Sequence, residues 1–137
     1  MYPLREHAQE GICTKSLYVA TYERKIVGSV IYLLEQGQVY QNVNWQLDFD
    51  VPVIVVHILA VHPDYLGCGV GKAVLEYAEN FGRRQGARTI RLDTYEKNTP
   101  AVRLYEKCNF QECGRVDLGL EPIYGLKWYR AFEKIIN

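Results

Sequence analysis

A buried strand that runs through a glycine-rich turn into a helix constrains the fold of this 137-residue chain most strongly. The run Val53–Val61 is mostly β-branched and aliphatic, which predicts a central strand covered on both faces. Pro63 ends this strand, and glycines at alternate positions 67, 69 and 71 lead into a helix predicted over residues 70–85. Because a chain of this length has room for one modest core, the sequence predicts a single α/β domain.

Short strands and helices are predicted on both sides of this unit. The polar N-terminus predicts a short helix over residues 4–9, and residues 98–108 predict a second long helix. Residues 35–52 follow no regular pattern, and a loop of this length in a small domain is usually functional or mobile. Further strands are predicted over residues 17–22, 26–34, 87–93, 110–118 and 126–136.

Composition and charge argue against several classes of function. Lysine and arginine together number 16, as do aspartate and glutamate, so no net field attracts nucleic acid or an acidic membrane. No apolar run is long enough to predict a membrane span. The four cysteines form no Cys-x-x-Cys pair and no signal peptide precedes them, which predicts reduced thiols and a cytoplasmic protein. His7, His57 and His62 are not clustered with cysteines, so no metal site is predicted.

The glycine-rich turn has the composition of an anion-binding site. Glycines at alternate positions remove the Cβ atoms that would keep a ligand away from the backbone. The N–H groups of the turn and of the first helical turn then converge where the helix dipole favours negative charge, as a phosphate or pyrophosphate requires. The same pattern is compatible with a tight turn whose glycines serve packing alone.

Two common nucleotide-binding motifs do not match this turn. A Walker-type loop requires glycine and Ser or Thr at positions that Leu66 and Ala73 occupy here. A dinucleotide fingerprint requires Gly-x-Gly-x-x-Gly, and the glycines of this chain are spaced one residue more tightly. The turn therefore indicates a phosphorylated ligand held in another way.

Residues 61–72 resemble the pyrophosphate loop of the GNAT family, the Gcn5-related N-acetyltransferases. Residues 98–110, NTPAVRLYEKCNF, resemble the second signature of that family, an Asn followed by a Leu-Tyr-Glu-Lys run and a Phe. The two signatures occur in the expected order, and the resemblance extends from about Leu17 to the end of the chain. It implies one GNAT-like acetyltransferase domain over residues 1–137, with a mixed, mostly antiparallel sheet, splayed central parallel strands and flanking helices.

The resemblance also implies acetyl-CoA as co-substrate, with no metal. Main-chain N–H groups from Gly67 to Gly71 would hold the pyrophosphate, and the strand edge from Leu59 to Val61 would pair with the pantetheine arm. Asn98 would contact the arm from the other side. The implied cofactor-binding residues are Leu59, Ala60, Val61, Leu66, Gly67, Cys68, Gly69, Val70, Gly71, Lys72, Asn98, Ala101 and Tyr105.

Two residues are candidates for the catalytic proton transfers. Tyr105 would protonate the leaving thiolate, although its place on the apolar face of a helix also fits a core residue. His57 lies in a run, residues 57–62, that resembles the serotonin N-acetyltransferase branch, where a histidine on this strand serves the amine. Its unperturbed pKa suits a general base, but a core histidine bonded to a backbone carbonyl fits equally well. His62 is better placed to cap the turn. Further candidates for the base are Asp93, Glu96 and Glu35.

Departures from the family pattern qualify these implications. Leu66 stands where the family usually has Arg or Gln, which predicts weaker cofactor binding, and Cys68 stands at an often basic position. Family members normally place a strand and two helices before the hairpin, whereas residues 1–16 form a shortened N-terminal segment with room for one short helix. Either the chain is a truncated relative or a second copy supplies the missing wall, and the apolar surface this leaves predicts a homodimer.

The function that these features predict is transfer of an acetyl group from acetyl-CoA to a primary amine by direct attack in a ternary complex. The acceptor would be a small-molecule amine or a protein amino group, selected by residues 35–52 and 119–125. Aromatic residues in these loops suggest an apolar entrance, namely Tyr40, Trp45, Phe49 and Tyr124. The alternative is a non-catalytic acyl-CoA-binding or sensor module of the same fold.

Overall fold

A computed structural model describes residues 7–10 and 17–136 of the chain. These residues form a seven-stranded sheet in the order β1-β2-β3-β4-β5-β7-β6. The strands are β1 His7–Glu10, β2 Leu17–Tyr22, β3 Lys25–Leu33, β4 Val53–Val61, β5 Thr89–Tyr95, β6 Gln111–Asp117 and β7 Trp128–Ile135. The helices are α1 Val70–Arg84, α2 Thr99–Lys107 and α3 Glu121–Tyr124, with 3-10 turns at Gln38–Asn42 and Pro63–Tyr65. The mixed, mostly antiparallel α/β fold predicted from the sequence is confirmed.

The predicted N-terminal helix over residues 4–9 is wrong where the structure describes it. His7–Glu10 is instead a strand, β1, that pairs antiparallel with β2. A helix of six residues is too short to be stable without tertiary packing, whereas β1 gains ladder hydrogen bonds along the edge of β2. The first part of that predicted helix, residues 4–6, lies outside the described residues.

The two central strands pair and then separate. β4 and β5 run parallel, but they pair only where Val53, Ile54 and Val55 face Thr89, Ile90 and Arg91. The first residues of β4 are buried, whereas His57 and Ile58 beyond the paired part are exposed. The predicted splay is therefore confirmed, and the prediction that the whole of β4 is covered holds only for its first half.

The two faces of the sheet are covered in different ways. Helices α1 and α2 pack on one face and enclose the main core, which includes Ile54, Leu75, Ile90, Leu92 and Phe132. The other face carries no long helix in the described part of the chain; the loop at residues 36–52 covers it, packing Tyr40 and Val43 against strand side chains. Along β5, successive residues point to opposite faces, so Ile90 and Leu92 face the helices while Arg91 and Asp93 face the loop. We call this second face the loop face.

No helix in residues 7–10 and 17–136 combines the length and the apolar character that a membrane crossing requires.

Candidate active site

The glycines of the turn before α1 serve two purposes. Gly67 and Gly69 have φ angles of 79° and 86°, a left-handed conformation that favours glycine. A Cβ atom at either position would meet nothing within 4 Å, so the outer side of the turn is open. Gly71 differs, because a Cβ there would lie 2.7 Å from the side chain of Leu104 on α2. Two glycines therefore shape the turn, and the third allows α1 and α2 to pack closely.

Most backbone N–H groups of this turn have no acceptor within the described residues. Cys68 N–H donates to the carbonyl of Tyr65 at 3.2 Å, and the first bond into α1 is from Ala73 N–H to the Gly69 carbonyl at 3.0 Å. The N–H groups without an acceptor among the described residues are that of Gly67, just before Cys68, and those of Gly69, Val70, Gly71 and Lys72, between Cys68 and Ala73. Unpaired N–H groups at a helix start, aided by the helix dipole, bind anions.

A β-bulge lies in β4 at the point where the strand leaves β5. Ser29 pairs with Ala60 and Ile31 with His57, so two residues of β4, Ile58 and Leu59, face one residue of β3. Ile58 has a φ angle of 51°, which is strained for a β-branched side chain. A bulge bends its strand and ends regular pairing. Beyond Val55 the β4 edge that faces β5 is consequently unpaired, and it leads directly to the glycine turn.

Tyr105 lies on α2, and its ring has the core environment that one of the two sequence interpretations predicts. The residue is 5% exposed, and its ring packs on Phe110 and Phe132 with centroid distances of 6.0 and 5.5 Å. Its hydroxyl group has no hydrogen-bond partner among the described residues. Burial, followed by the charge of Asp93, raises the pKa of Tyr105 to about 12. The ring is part of the core, and the hydroxyl group stays protonated at neutral pH.

Asp93 is the electrostatic centre of the site. Its Oδ2 atom accepts a hydrogen bond from the Tyr40 hydroxyl group at 2.5 Å. Burial raises the pKa of Asp93, while the Tyr40 hydrogen bond and the charge of His57 lower it. Burial and the Asp93 carboxylate together raise the pKa of Tyr40 well above its ordinary value. His57, Asp93, Tyr105 and Tyr40 therefore form one electrostatically connected group at the splay.

A buried ion pair fixes the loop that carries Tyr40. Arg91 Nε donates to Glu133 Oε2 at 2.9 Å, and both side chains are fully buried. The terminal nitrogens of Arg91 donate to loop carbonyl groups, and the guanidinium group lies 4.7 Å from the Trp45 ring. Trp45 in turn donates from Nε1 to the Tyr40 carbonyl at 2.8 Å. The carbonyl acceptors are those of Leu47, Asp48 and Phe49.

Sequence reasoning missed this ion pair, although a signal for it was present. Arg91 and Glu133 are charged residues inside apolar predicted strands, and they face each other in the β5–β7 ladder. A charge buried inside a strand requires a partner of opposite charge. The strand pairing that would identify the partner is not visible in a single sequence.

A model of the protein family described as Acetyltransferase (GNAT) family matches residues 2–110. The chain belongs to this family. This match confirms the resemblance that the two sequence signatures carry. In the structure of the GNAT-family chain, these signatures lie at the open glycine turn and at α2, beside the splayed strands.

Curated relatives include acetyltransferases that act on different acceptors. Streptothricin acetyltransferase of Streptomyces lavendulae is 30% identical over 61 residues, which cover 44% of this chain and 32% of the relative. The [ribosomal protein bS18]-alanine N-acetyltransferase of Escherichia coli K12 is 37% identical over 54 residues, covering 39% and 36% of the two chains. UPF0157 protein YqkA of Bacillus subtilis strain 168 is 40% identical over 92 residues, covering 56% and 26%. The matched region therefore covers between 26% and 36% of the length of these relatives.

Solved structures share the fold of this GNAT-family chain. A GNAT-family acetyltransferase from Streptococcus agalactiae superposes with a TM-score of 0.71 and 21% identity, covering 89% of this chain and 66% of its own. A putative streptothricin acetyltransferase from Bacillus anthracis strain Ames, in complex with acetyl coenzyme A, gives a TM-score of 0.68 and 20% identity, covering 88% and 62%. These likenesses establish the fold.

The structure places the other predicted site residues as follows. Asn98 caps α2: its Oδ1 accepts from Ala101 N–H at 3.3 Å, and its Nδ2 donates to Thr94 Oγ1 at 3.2 Å. His62 Nδ1 accepts from the backbone N–H of Asp64 at 3.1 Å, which confirms the predicted capping role. Glu96 forms an ion pair with Arg115 instead of joining the electrostatic group.

The remaining predicted site residues differ in their exposure to solvent. Exposed residues of the site are Ala60, Leu66, Cys68 and Lys72. Three further site residues are partly exposed to solvent, namely Leu59, Val61 and Ala101. Glu35, at the start of the loop, is exposed.

His57 is exposed, so the interpretation of it as a core histidine is wrong. Its side chain stands on the unpaired half of β4, within the field of the Asp93 carboxylate. Among the described residues, no group of three or more His, Cys, Asp and Glu is arranged to hold a metal ion.

Proposed function

We propose that this protein transfers an acetyl group from acetyl-CoA to a primary amine by direct attack in a ternary complex. The observation that carries the proposal is the set of unpaired N–H groups at Gly67 and at residues 69–72, which adjoins the open edge of β4. A diphosphate matches the first feature and an extended amide-containing arm matches the second. Membership of the GNAT family and the relatives named acetyltransferases support the same reaction.

Coenzyme A would lie along the splay between β4 and β5. The N–H groups of Gly67, Gly69, Val70, Gly71 and Lys72 would hold its pyrophosphate. The pantetheine arm would pair with the backbone of Leu59, Ala60 and Val61 as an added strand does. Leu66 and Cys68 would flank the pyrophosphate, and Ala101 lies on the α2 side with Asn98. Because the Asn98 side chain caps α2, its contribution would be to fix that helix against the arm.

The proton transfers would use Tyr105 and His57. Only an uncharged amine is a nucleophile, so a base on the acceptor side has to accept its proton. His57 is exposed on the part of β4 that does not pair with β5, and its imidazole would accept this proton. On the other side of the thioester, the Tyr105 hydroxyl would donate to the sulfur as the carbon–sulfur bond breaks.

Two measurements on the wild-type protein test this proposal. Titration calorimetry with acetyl-CoA should give saturable 1:1 binding, and thiol release in the presence of a panel of primary amines should exceed release without amine. Binding without amine-dependent thiol release would support the alternative, a sensor or acyl-CoA-binding module. Absence of both binding and release would contradict the proposal and the alternative together.

The turn itself is tested by the variant Gly69→Ala. We expect acetyl-CoA affinity to fall about tenfold or more, equivalent to about 1.4 kcal/mol, because the left-handed backbone disfavours alanine and the methyl group enters the open side. Gly86→Ala is the matched control, since Gly86 also has a positive φ, 80°, with no atom within 4 Å of a Cβ. Gly86 ends α1 away from the turn, so calorimetry should show unchanged affinity there. Equal affinities for the two variants would contradict the assigned pyrophosphate site.

The acceptor class and the assembly state complete the proposal. A small-molecule amine or a protein amino group is proposed as acceptor, in keeping with relatives named for streptothricin and for ribosomal protein alanine.

A homodimer is proposed because apolar side chains such as Ile26 and Ile58 are 60% and 64% exposed. Light scattering coupled to size-exclusion chromatography should show twice the chain mass, and a monomer at micromolar concentration would remove the homodimer while leaving the reaction proposal intact.

A further inference from the structure

Three tyrosines lie together where β5 ends and β7 begins, beyond the electrostatically connected group at the splay. Tyr95 and Tyr129 face each other in the β5–β7 ladder, and their rings meet edge to face with centroids 6.1 Å apart. Because side chains alternate along a strand, Tyr95 lies on the loop face with Asp93. Burial, followed by the neighbouring Asp93, Tyr124 and Tyr95 groups, raises the pKa of Tyr129, which places Tyr124 of α3 close by. We call Tyr95, Tyr124 and Tyr129 the tyrosine cluster.

The tyrosine cluster has capacity for recognition that the described residues do not use. None of its hydroxyl groups has a hydrogen-bond partner, and no cation lies over any of its rings, among the residues that the structure describes. Tyr124 is 65% exposed, and the other two members are partly exposed. Arg115 and Lys127 of the neighbouring strand ends lie instead over the Trp128 ring, which points to the opposite face of β7 from Tyr129.

The surroundings of the tyrosine cluster are acidic. Asp93 lies two residues before Tyr95 on the same face of β5. Residues 117–126, which carry α3, contain Asp117 and Glu121 but no lysine or arginine. Neither of these two carboxylates forms an ion pair within the described part of the chain. Electron-rich ring faces, hydroxyl oxygens and nearby carboxylates together favour a cation over a neutral or anionic ligand.

We infer that the tyrosine cluster binds a second positive charge of the acceptor, so that the preferred acceptor is a small organic amine with two cationic groups. The ring faces attract an ammonium group, and the hydroxyl oxygens accept its hydrogen bonds. The cluster lies on the loop face beside the splay, where the other amine of such an acceptor would meet the thioester. The three tyrosines are specificity-determining residues and take no part in proton transfer. The inference deepens the proposed acetyl transfer and rests on it.

Strand geometry sets the separation of the two charges. The reacting amine would lie at the electrostatically connected group, level with Asp93, and Tyr95 follows two residues later on β5. Two residues of a strand span about 7 Å, a distance that an extended alkyl chain of about four to six carbons bridges between two nitrogens. A linear diamine of this length should therefore be a better acceptor than a shorter diamine, and better than a monoamine of equal length.

Acetylation rates at saturating acetyl-CoA test this acceptor class. For the wild-type protein, kcat/KM for the linear diamine of five carbons should exceed that for pentylamine about tenfold, mainly through a lower KM. The value should fall again for the diamine of three carbons. A difference between the five-carbon diamine and pentylamine within about twofold, which two equivalent amino groups supply by themselves, would overturn the inference. A higher value for phenethylamine than for the five-carbon diamine would also overturn it and assign the rings to an apolar acceptor.

Tyr129→Leu and Tyr124→Leu test the tyrosine cluster itself. Each variant keeps an apolar side chain but removes a ring face and a hydroxyl oxygen, so the ratio of kcat/KM for the five-carbon diamine to that for pentylamine should fall about three- to tenfold. The value for pentylamine should stay within about twofold of wild type. Tyr124 is exposed enough for its replacement to leave the core intact, so this variant decides the question if Tyr129→Leu does not fold.

Tyr22→Leu is the matched control. Tyr22 belongs to a similar edge-to-face pair, with a centroid distance of 6.4 Å to Tyr65, but it packs against the main core and not on the loop face. Its diamine-to-monoamine ratio should equal that of the wild type. An unchanged ratio in both Tyr124→Leu and Tyr129→Leu, or an equal loss of diamine and pentylamine turnover, would overturn the inference while leaving acetyl transfer in place. Failure of every amine to accelerate thiol release would instead overturn the proposed function, and the inference with it.

Discussion

Replacing Arg91 by methionine should lower the free energy of unfolding by about 3–5 kcal/mol, the range typical of a broken buried ion pair. Methionine resembles the aliphatic part of the arginine side chain, but it leaves the buried Glu133 carboxyl group without its guanidinium partner. It also removes the donors to the carbonyl groups of the loop at residues 36–52. Urea unfolding followed by circular dichroism measures this difference.

An exposed pair in the same sheet provides the control for this prediction. Arg130 and Glu112 form an ion pair at 2.6 Å, shorter than the Arg91 pair, but their side chains are 28% and 35% exposed. Solvent screens such a pair, so Arg130→Met should cost less than about 1 kcal/mol. If Arg91→Met and Arg130→Met lost the same free energy of unfolding, burial would not determine the loss, and the prediction would be wrong.

A double variant separates the ion pair from the loop. Arg91→Met combined with Glu133→Leu removes both charges, so it should regain part of the stability that Arg91→Met loses. The loop still lacks its donors in the double variant, and Gln46 N–H also loses Glu133 as its acceptor. Hydrogen exchange at residues 46–49 should therefore remain faster than in the wild type. Restored stability together with restored protection would show that the Arg91 donors do not hold the loop.

The strands and helices were predictable wherever local pattern and tertiary packing agree. The β-branched run of β4 fixed its bounds, and the apolar spacing of α1 with Gly86 after it located that helix to within one residue. The failure at His7–Glu10 has a different origin, because a polar segment of this kind acquires its structure from the edge of a neighbouring strand. Nothing in residues 4–9 alone records that edge.

The candidate site was predictable only in the parts that local sequence determines. The open glycine turn follows from the glycines themselves, although Gly71 proved to serve the packing of α1 on Leu104. The bond between Tyr40 and Asp93 joins residues 53 positions apart, and it depends on a loop that Arg91 holds through the sheet. Such a contact requires the strand order β4-β5-β7, which a single sequence does not supply.

Replacing Tyr105 by phenylalanine should reduce kcat by about a hundredfold or more while the stability of the protein stays the same or rises. The aromatic ring that packs on Phe110 and Phe132 is retained, so the core loses no contacts. The hydroxyl that is removed is buried and has no hydrogen-bond partner among the described residues, and burial of an unpaired hydroxyl is unfavourable. What the variant lacks is the hydroxyl group that is proposed to protonate the leaving thiolate.

The raised pKa of Tyr105 makes this role independent of pH over the neutral range. With a pKa of about 12, the phenol keeps its proton well above the pH at which a free thiol ionises. The proposed donation would therefore occur only as the sulfur gains negative charge while the carbon–sulfur bond breaks. The basic limb of the wild-type pH profile should accordingly show no ionisation of Tyr105 below about pH 11.

Tyr32→Phe is the control that gives the opposite result. The Tyr32 hydroxyl is also buried, but it donates to the Val74 carbonyl at 2.8 Å, so its removal should cost about 1–3 kcal/mol of stability and leave kcat near wild type. Calorimetry with acetyl-CoA should give the same affinity for Tyr105→Phe and wild type, since the interaction is made only as the bond breaks. A parallel loss of affinity, stability and turnover in Tyr105→Phe would mean that the residue supports the fold and that another group protonates the thiolate.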